Sequence, residues 1–383
     1  MRILYLSLSY IPSRRASSVQ VMRMCAALAK AGHEVTLLAK ASNDAREEAA
    51  VIDRGGDHAF YGVPPRFELR KLPRPKRRGG GVLFSAAMAG QLWKERRRAE
   101  LVYSRDLLGA WMASQARLPV VFEAHSIPAA PALRRLWRSL MTSPRLRRLV
   151  VISEALRRDL EAEGMLPARG SVVVAHDAAD APEAAPVRPV RVGQGTPRER
   201  SDVARIGYVG SLYPGRGIEL ILALAARMPA LRFEIIGGSE ADLARWRPEL
   251  PGNARLHGFV SPGELTARYA ELDVLLMPYA RSGVGGPLAK VDTSRWCSPM
   301  KMFEYMASGA PIVSSDLPVL QEVLRHDDNA LIAPVDDPGA WQRAIERLVA
   351  EPATRARLAE QALRDLRAHY TWDARAAAVL RGL

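Results

Sequence analysis

The sequence predicts two doubly wound α/β domains joined by a linker, and three observations predict it. Short apolar runs recur that are continuous rather than alternating, as in strands covered by helices on both faces. Segments of helical period separate these runs. A Pro- and Gly-rich, weakly apolar stretch from Asp180 to Asp202 interrupts the pattern, which then restarts.

In the first half the runs are Ile3–Leu8, Val35–Ala39, Leu101–Tyr103, Val120–Glu123, Leu149–Ile152 and Val172–Val174. The opening Arg2–Leu8 reads as a buried strand, being too short an apolar stretch for a signal peptide. Ser18–Ala31 sets Val21, Met24, Cys25 and Leu28 at helical spacing, and Gly32 stops that helix before the next strand. In the second half the order is strand Arg205–Gly210, helix Gly217–Met228, strands Arg232–Gly237 and Val274–Pro278, helix Met300–Ser308 and strand Pro311–Ser314. Helices Gly339–Ala350 and Ala353–His369 follow, then a terminal helix after Tyr370. The expected division is residues 1–180, a linker at 181–202, a second domain at 203–369, and a segment 370–383 packing back on the first domain.

With 383 residues, 48% of them apolar, the chain can bury two cores. Cys25 and Cys297 are its two cysteines, too few for a disulfide framework and in keeping with a reducing cytoplasm. No apolar run reaches the roughly 18 residues that span a bilayer. The net charge of +14 favours anionic partners: phosphates, acidic headgroups or nucleic acid. No zinc-finger, RNP or helix-turn-helix pattern accompanies it, which argues against nucleic acid. Basic clusters at Arg66–Arg78, Lys94–Arg98 and Arg134–Arg148 read either as a patch for an acidic membrane surface or as a solvated face.

The segment Ser298-Pro299-Met300-Lys301-Met302-Phe303-Glu304 is the most informative. Ser298 suits an N-cap and Pro299 a first helical turn. The free N–H groups and positive end of such a helix suit a pyrophosphate. Lys301 in the first turn costs helix stability unless an anion sits beside it. Glu304, one turn on, can accept both hydroxyls of a ribose. A plain surface Lys–Glu pair is the other reading of these residues. The acidic pairs Asp327-Asp328 and Asp336-Asp337 lie in turn-like sequence, so no essential metal or other cofactor is expected. The glycine-free Leu8–Ser13 argues against a dinucleotide-dependent oxidoreductase.

Five segments, in order, resemble family 4 glycosyltransferases: the opening Arg2–Leu8 with Ala29–Val35, Val121–His125, Val209–Gly217, Ser298–Glu322 and Asn329–Ala333. The resemblance implies the GT-B fold, two Rossmann-like domains facing across a cleft, and retaining transfer from a nucleotide-sugar donor to a cell-envelope glycan or lipid-linked acceptor. It implies that Glu304, the second Glu of the family's E-x7-E pattern, holds the ribose; the first falls at Trp296 and is missing. Ser298, Pro299, Met300 and Lys301 then stand in at the donor, as in relatives with a Ser-Pro-Leu-Lys version. Arg216 matches the residue that holds the donor phosphates, and Ser211 stands where a second basic residue is usual. His125 matches the active-site histidine. Ser17 and Ser18 replace a Gly-Gly at the first helix, able to cap it and to offer N–H groups to phosphate, and Arg14 and Arg15 could meet an anionic acceptor. The implied catalytic set is His125, Arg216 and Lys301, in a cytoplasmic protein able to sit on the inner face of the membrane. A sugar-nucleotide epimerase or hydrolase of the same fold, and a non-catalytic envelope-assembly protein, are the alternatives.

Overall fold

A computed structural model describes residues 1–42, 44–73, 80–184, 186, 203–283 and 292–383. Most of the expected linker and residues 74–78 of the first basic cluster lie outside the described residues. The chain divides into two compact units, one of Met1–Asp177 with Trp372–Leu383, the other of Ala178–Thr371.

Unit 1 runs β1 (Arg2–Ile11), α1 (Ala16–Lys30), β2 (Glu34–Ala41), α2 (Ala45–Ile52), α3 (Asp57–Phe60), β3 (Glu68–Leu72), α4 (Gly80–Glu95), β4 (Leu101–Ser104), α5 (Leu107–Gln115), β5 (Val120–Ala124), α6 (Pro131–Met141), β6 (Leu146–Val151), α7 (Glu154–Ala162) and β7 (Ser171–Val174). Unit 2 continues with β8 (Arg205–Val209), α8 (Ile218–Arg227), β9 (Arg232–Ile236), α9 (Glu240–Trp246), β10 (Ala254–Leu256), α10 (Leu265–Ala270), β11 (Val274–Met277), α11 (Met300–Ala307), β12 (Ile312–Ser315), β13 (Leu331–Ala333), α12 (Pro338–Ala350) and α13 (Pro352–His369). The last helix, α14 (Trp372–Leu380), returns to unit 1.

Among the described residues each unit holds one parallel sheet, ordered β3-β2-β1-β4-β5-β6-β7 and β10-β9-β8-β11-β12-β13. These are two Rossmann-like α/β domains. Most of the continuous apolar runs are buried as expected, with Leu275 and Leu276 in β11 and Val120 and Val121 in β5 having no exposed surface, whereas Val172–Val174 in the edge strand β7 are half-buried and Leu8 is exposed. Strand order reverses between β1 and β4 in unit 1, and between β8 and β11 in unit 2. In open α/β sheets ligands bind at the carboxyl ends of strands beside such a reversal. The loops and helix starts there carry Ser17, Arg105 and His125 in unit 1, and Ser211, Arg216 and Lys301 in unit 2.

Some local expectations are corrected. Helix α1 begins at Ala16 with Arg15 at its N-cap and no side-chain cap, so neither Ser17 nor Ser18 caps it; the Ser18 hydroxyl instead donates to the Tyr10 carbonyl at 2.8 Å. Helix α11 begins at Met300 with extended Pro299 (ψ 121°) as N-cap, one residue later than the Ser298 reading places it. Strand β6 starts at Leu146 rather than Leu149, because Arg148 is buried within it. Its guanidinium donates to the carbonyls of Val379 and Arg381, both at 2.8 Å, and so ties down the end of α14. Trp137 is buried too, with Nε1 on the Met165 carbonyl at 2.8 Å, so two members of the Arg134–Arg148 cluster belong to the core of unit 1. Arg135, Arg138 and Arg147 are its exposed members.

Candidate active site

In unit 2, two cations gather over the rings of Tyr208, Tyr213 and Tyr279. Gly210 ends β8 with φ +152°, and a Cβ there would collide with Lys301 Nζ, so the ammonium lies against the strand's end. Lys301 Nζ sits 4.0 Å from the Tyr208 ring centre and 5.1 Å from that of Tyr279. The Arg216 guanidinium stacks 4.4 Å from Tyr279 and 4.6 Å from Tyr213, and also bonds the Tyr213 hydroxyl. Arg216 reaches this place because Gly217, at φ +74°, packs on Pro278 where any side chain would collide with its carbonyl. Among the described residues neither Lys301 Nζ nor Arg216 Nε, both buried, has a hydrogen-bond acceptor. Burial, then the Arg216 charge, pull the Lys301 ammonium well below the usual lysine range, against the opposite pull of Glu304. An anion placed here would reverse that shift.

Glu304 lies one turn further along α11. Its carboxylate accepts from the Tyr269 hydroxyl at 2.7 Å. Tyr269 packs edge-on against Tyr305, whose hydroxyl accepts the Val209 N–H at 2.9 Å and donates to the Leu276 carbonyl at 3.3 Å. Ser211 is exposed and gives its carbonyl to Tyr208 at 2.7 Å, whereas Ser298 is buried and Met300 and Pro299 half-buried. Lys301, Arg216 and Glu304 therefore share one tyrosine-lined cluster. Sequence reasoning missed those tyrosines; their only signal was placement at the ends of apolar runs. The acidic turns are otherwise engaged, with Asp337 capping α12 and Asp327 paired to Arg347 and Arg357.

In unit 1, His125 follows β5 and is 27% exposed. Its Nε2 lies 2.7 Å from Glu123 Oε1, and Arg105 approaches both ring nitrogens, at 3.0 and 3.3 Å. Arg105 also donates to the Ser17 carbonyl at 2.9 Å, so the first turn of α1 meets the loops after β4 and β5 there. Glu123 is fully buried and receives Gln20 at 2.8 Å, the Tyr103 hydroxyl, and Arg375 of α14 at 3.0 Å. Burial by itself would raise the Glu123 carboxyl, but Arg375, His125 and Arg105 outweigh it and hold it well below the usual range. Burial, then Arg105, lower the His125 imidazole. Arg14 and Arg15 are exposed, Arg15 lying 5.9 Å over the Tyr10 ring. Arg105, Glu123 and Arg375 were not foreseen as site residues. The available signal was period: Glu123 and His125 share a face at i and i+2, and Arg375 interrupts the buried stripe Trp372, Ala376, Val379.

These shifts set a pH dependence. Unfolded His125 gains a proton below its ordinary value of 6.5 while the folded imidazole resists, so stability falls as pH drops through that region. Glu123 contributes stability above its ordinary value of 4.5, lost as pH falls toward its lower folded value. Urea midpoints should therefore decline from pH 7.5 to 5.5, and again below 4.5. His125→Gln should flatten the first decline; a flat wild-type curve above pH 5 would contradict it.

Comparison with known proteins bears on the fold and the family. Residues 17–181 match the family model described as Glycosyltransferase Family 4, and residues 216–381 one described as Glycosyl transferase-like. The two models, one on each half of the chain, support a glycosyltransferase similar to family 4. A phosphatidyl-myo-inositol mannosyltransferase of Mycolicibacterium smegmatis is 28% identical over 193 residues, covering 49% of this chain and 46% of that protein. A D-inositol 3-phosphate glycosyltransferase of Actinosynnema mirum is 25% identical over 93% of this chain and 88% of its own. The matches thus span about half the length of some curated relatives and most of another. Among solved structures, Anabaena HepE in complex with UDP-glucose has a TM-score of 0.70 at 14% identity, covering all of both chains, which supports the GT-B fold. Among the described residues, no helix is long and apolar enough to cross a membrane.

Proposed function

We propose that the protein is a retaining glycosyltransferase. It moves a sugar from a nucleotide-sugar donor, a UDP-sugar favoured and a GDP-sugar next, to a glycan or lipid-linked acceptor of the cell envelope. One observation carries this reading: Lys301 Nζ and Arg216 Nε are buried against the same Tyr279 ring, with no acceptor among the described residues. An unpartnered buried cation costs several kcal/mol, on the order seen for desolvated ions. A diphosphate offers both groups oxygens. HepE is described with UDP-glucose, and relatives are named for transfer to phosphatidyl-myo-inositol and in lipopolysaccharide core biosynthesis, which favours this donor and acceptor class.

The chemistry follows from charge. As the glycosidic bond breaks, negative charge grows on the leaving diphosphate, where Lys301 and Arg216 are preorganised to receive it. They supply there the positive charge that a metal supplies in other transferases. Glu304 grips the ribose diol, Ser298–Met300 and Ser211 line the donor, and Ser17 and Ser18 lie at the acceptor unit's first helix. His125 acts in unit 1, with Arg14 and Arg15 offered to an anionic acceptor. Retention rests on the family resemblance.

The test is a thermal-shift screen against UDP-, GDP- and ADP-sugars with and without EDTA, followed by mass spectrometry of candidate lipid and glycan acceptors. A new glycoside supports transfer. Free sugar or an epimer would replace it with hydrolysis or epimerisation, and stabilisation by none of the donors would sink the reading. Tyr269→Phe gives a finer check. It removes a hydrogen bond to Glu304 worth about 1 kcal/mol, so nucleoside diphosphate affinity should fall by roughly fivefold in calorimetry. A 2′,3′-dideoxy analogue should show no such difference; an equal loss for both would separate Tyr269 from ribose binding.

A further inference from the structure

The terminal helix reaches beneath His125. Arg375 on α14 is 3% exposed and spends its donors on Glu123 Oε2 at 3.0 Å, the His176 carbonyl at 2.8 Å and the Ala175 carbonyl at 3.3 Å. The other oxygen of Glu123 lies 2.7 Å from His125 Nε2. An ionised carboxylate has no proton to give, so Nε2 carries the hydrogen. Arg105 then donates to Nδ1 at 3.3 Å, and its Nε–H, which also points at Nε2 at 3.0 Å, is the one donor that the Glu123 carboxylate must outcompete for that nitrogen. Both ring nitrogens are thereby engaged in one neutral tautomer.

We infer that Arg375 is a positioning residue for His125: lying against Glu123, it keeps that carboxylate ionised and aimed at Nε2, and so fixes the imidazole as the neutral Nε2–H tautomer. The groups facing the pair come from every element around it. They are Tyr5 of β1, Tyr103 of β4, Arg105 in the following loop, Asp177 after β7, Arg375 of α14, and Gln20, Met24 and Cys25 of α1. Arg375 and Arg105 are the cations among them. Arg105 also touches the imidazole and resists its protonation, whereas Arg375 bonds Glu123 and reaches the ring through it, with the Asp177 carboxyl facing both. Without Arg375 the buried carboxylate would face His125 short of one countercharge, and the coupled pair would take up a proton at higher pH. That His125 serves sugar transfer rests on the function proposed above; the clamp on its tautomer does not.

The experiment uses the full chain labelled with ¹⁵N-histidine, with the His125 signal assigned by His125→Gln. Wild type should show one Nε2–H tautomer through neutral pH. In Arg375→Met the midpoint of the Glu123–His125 pair should rise by about one unit or more, and the acid limb of kcat/KM should move up with it. Arg375→Lys loses the paired carbonyl contacts but keeps the charge, so it should melt lower than wild type while His125 titrates within about 0.3 units of it. An unchanged titration in folded Arg375→Met overturns the inference and leaves Arg375 a purely structural anchor. If Arg375→Met does not fold even in sucrose, Arg375→Lys decides: a shifted midpoint overturns the proposal, an unshifted one in a destabilised protein supports it. Should wild type transfer no sugar, the proposed function falls while the titration result stands.

Discussion

Glu123→Ala is expected to destabilise unit 1 by about 3–5 kcal/mol, the cost of breaking a buried ion pair from one side. The residue has no exposed side-chain surface, and four donors converge on it: Gln20, Tyr103, Arg375 and the ring of His125. Alanine leaves the Arg375 guanidinium, 2% exposed, charged in a place water does not reach. Adding Arg375→Met removes that orphan charge, so the double variant should recover much of the loss, and the cycle should show a large coupling. Because the chain has two units, a single melting midpoint is a poor measure. Hydrogen exchange of amides in β4, β5 and α14 reads unit 1 directly. A loss under 1 kcal/mol, or a double variant as unstable as the sum of the singles, would mean that these groups find other partners.

The same pair shows where sequence reading stops. Strands buried on both faces announce themselves: β11 is an unbroken apolar run, as are Ile3–Leu6 within β1 and Val120–Phe122 within β5. Strand β3 does not, because at Glu68–Leu72 it is an edge strand carrying Glu68, Arg70 and Lys71. Strand β13 is only three residues long, and β6 hides behind Arg147 and Arg148, charges that looked like surface. Burial of an arginine cannot be read from its own neighbours in sequence when its partners are the carbonyls of a helix some 230 residues away. Arg375 fails in the same way, since Glu123 lies 252 residues from it.

The donor-side residues were more legible because their geometry is local. Lys301 and Glu304 share one helix turn, and the glycines at 210 and 217 mark the close approaches that bring Arg216 beside them. What local pattern could not supply was the aromatic lining. Tyr208, Tyr213 and Tyr279 come from two strand ends and a loop, and only the parallel pairing of β8 with β11 brings them together. Those rings help two cations tolerate close quarters, since each lies over a π face that partly offsets its desolvation.

Lys301→Ala should lower the turnover of sugar transfer by roughly a hundredfold or more, in the range seen when one preorganised charge-stabilising donor is removed. Its ammonium has no acceptor among the described residues, so little protein structure depends on it, and relieving an unpaired buried cation should leave the melting temperature unchanged or raised. A gain in stability with a loss in activity is the signature of a group held under electrostatic strain for a ligand. Arg216→Ala should also lower turnover, but it frees the faces of Tyr213 and Tyr279 and should cost stability as well. Both changes should weaken nucleoside diphosphate and spare the free nucleoside, because the partner is the diphosphate. Glu304→Ala should weaken both alike, by roughly tenfold to a hundredfold, as expected for a lost charged hydrogen bond of about 1.5–3 kcal/mol. His125→Ala, in the other unit, should leave nucleotide binding nearly intact and lower turnover. Calorimetry on the four variants with nucleoside, diphosphate and nucleotide sugar separates these roles. If Lys301→Ala lost stability and bound diphosphate like wild type, the ammonium would be a structural group satisfied by its tyrosines, and the diphosphate would have to bind elsewhere.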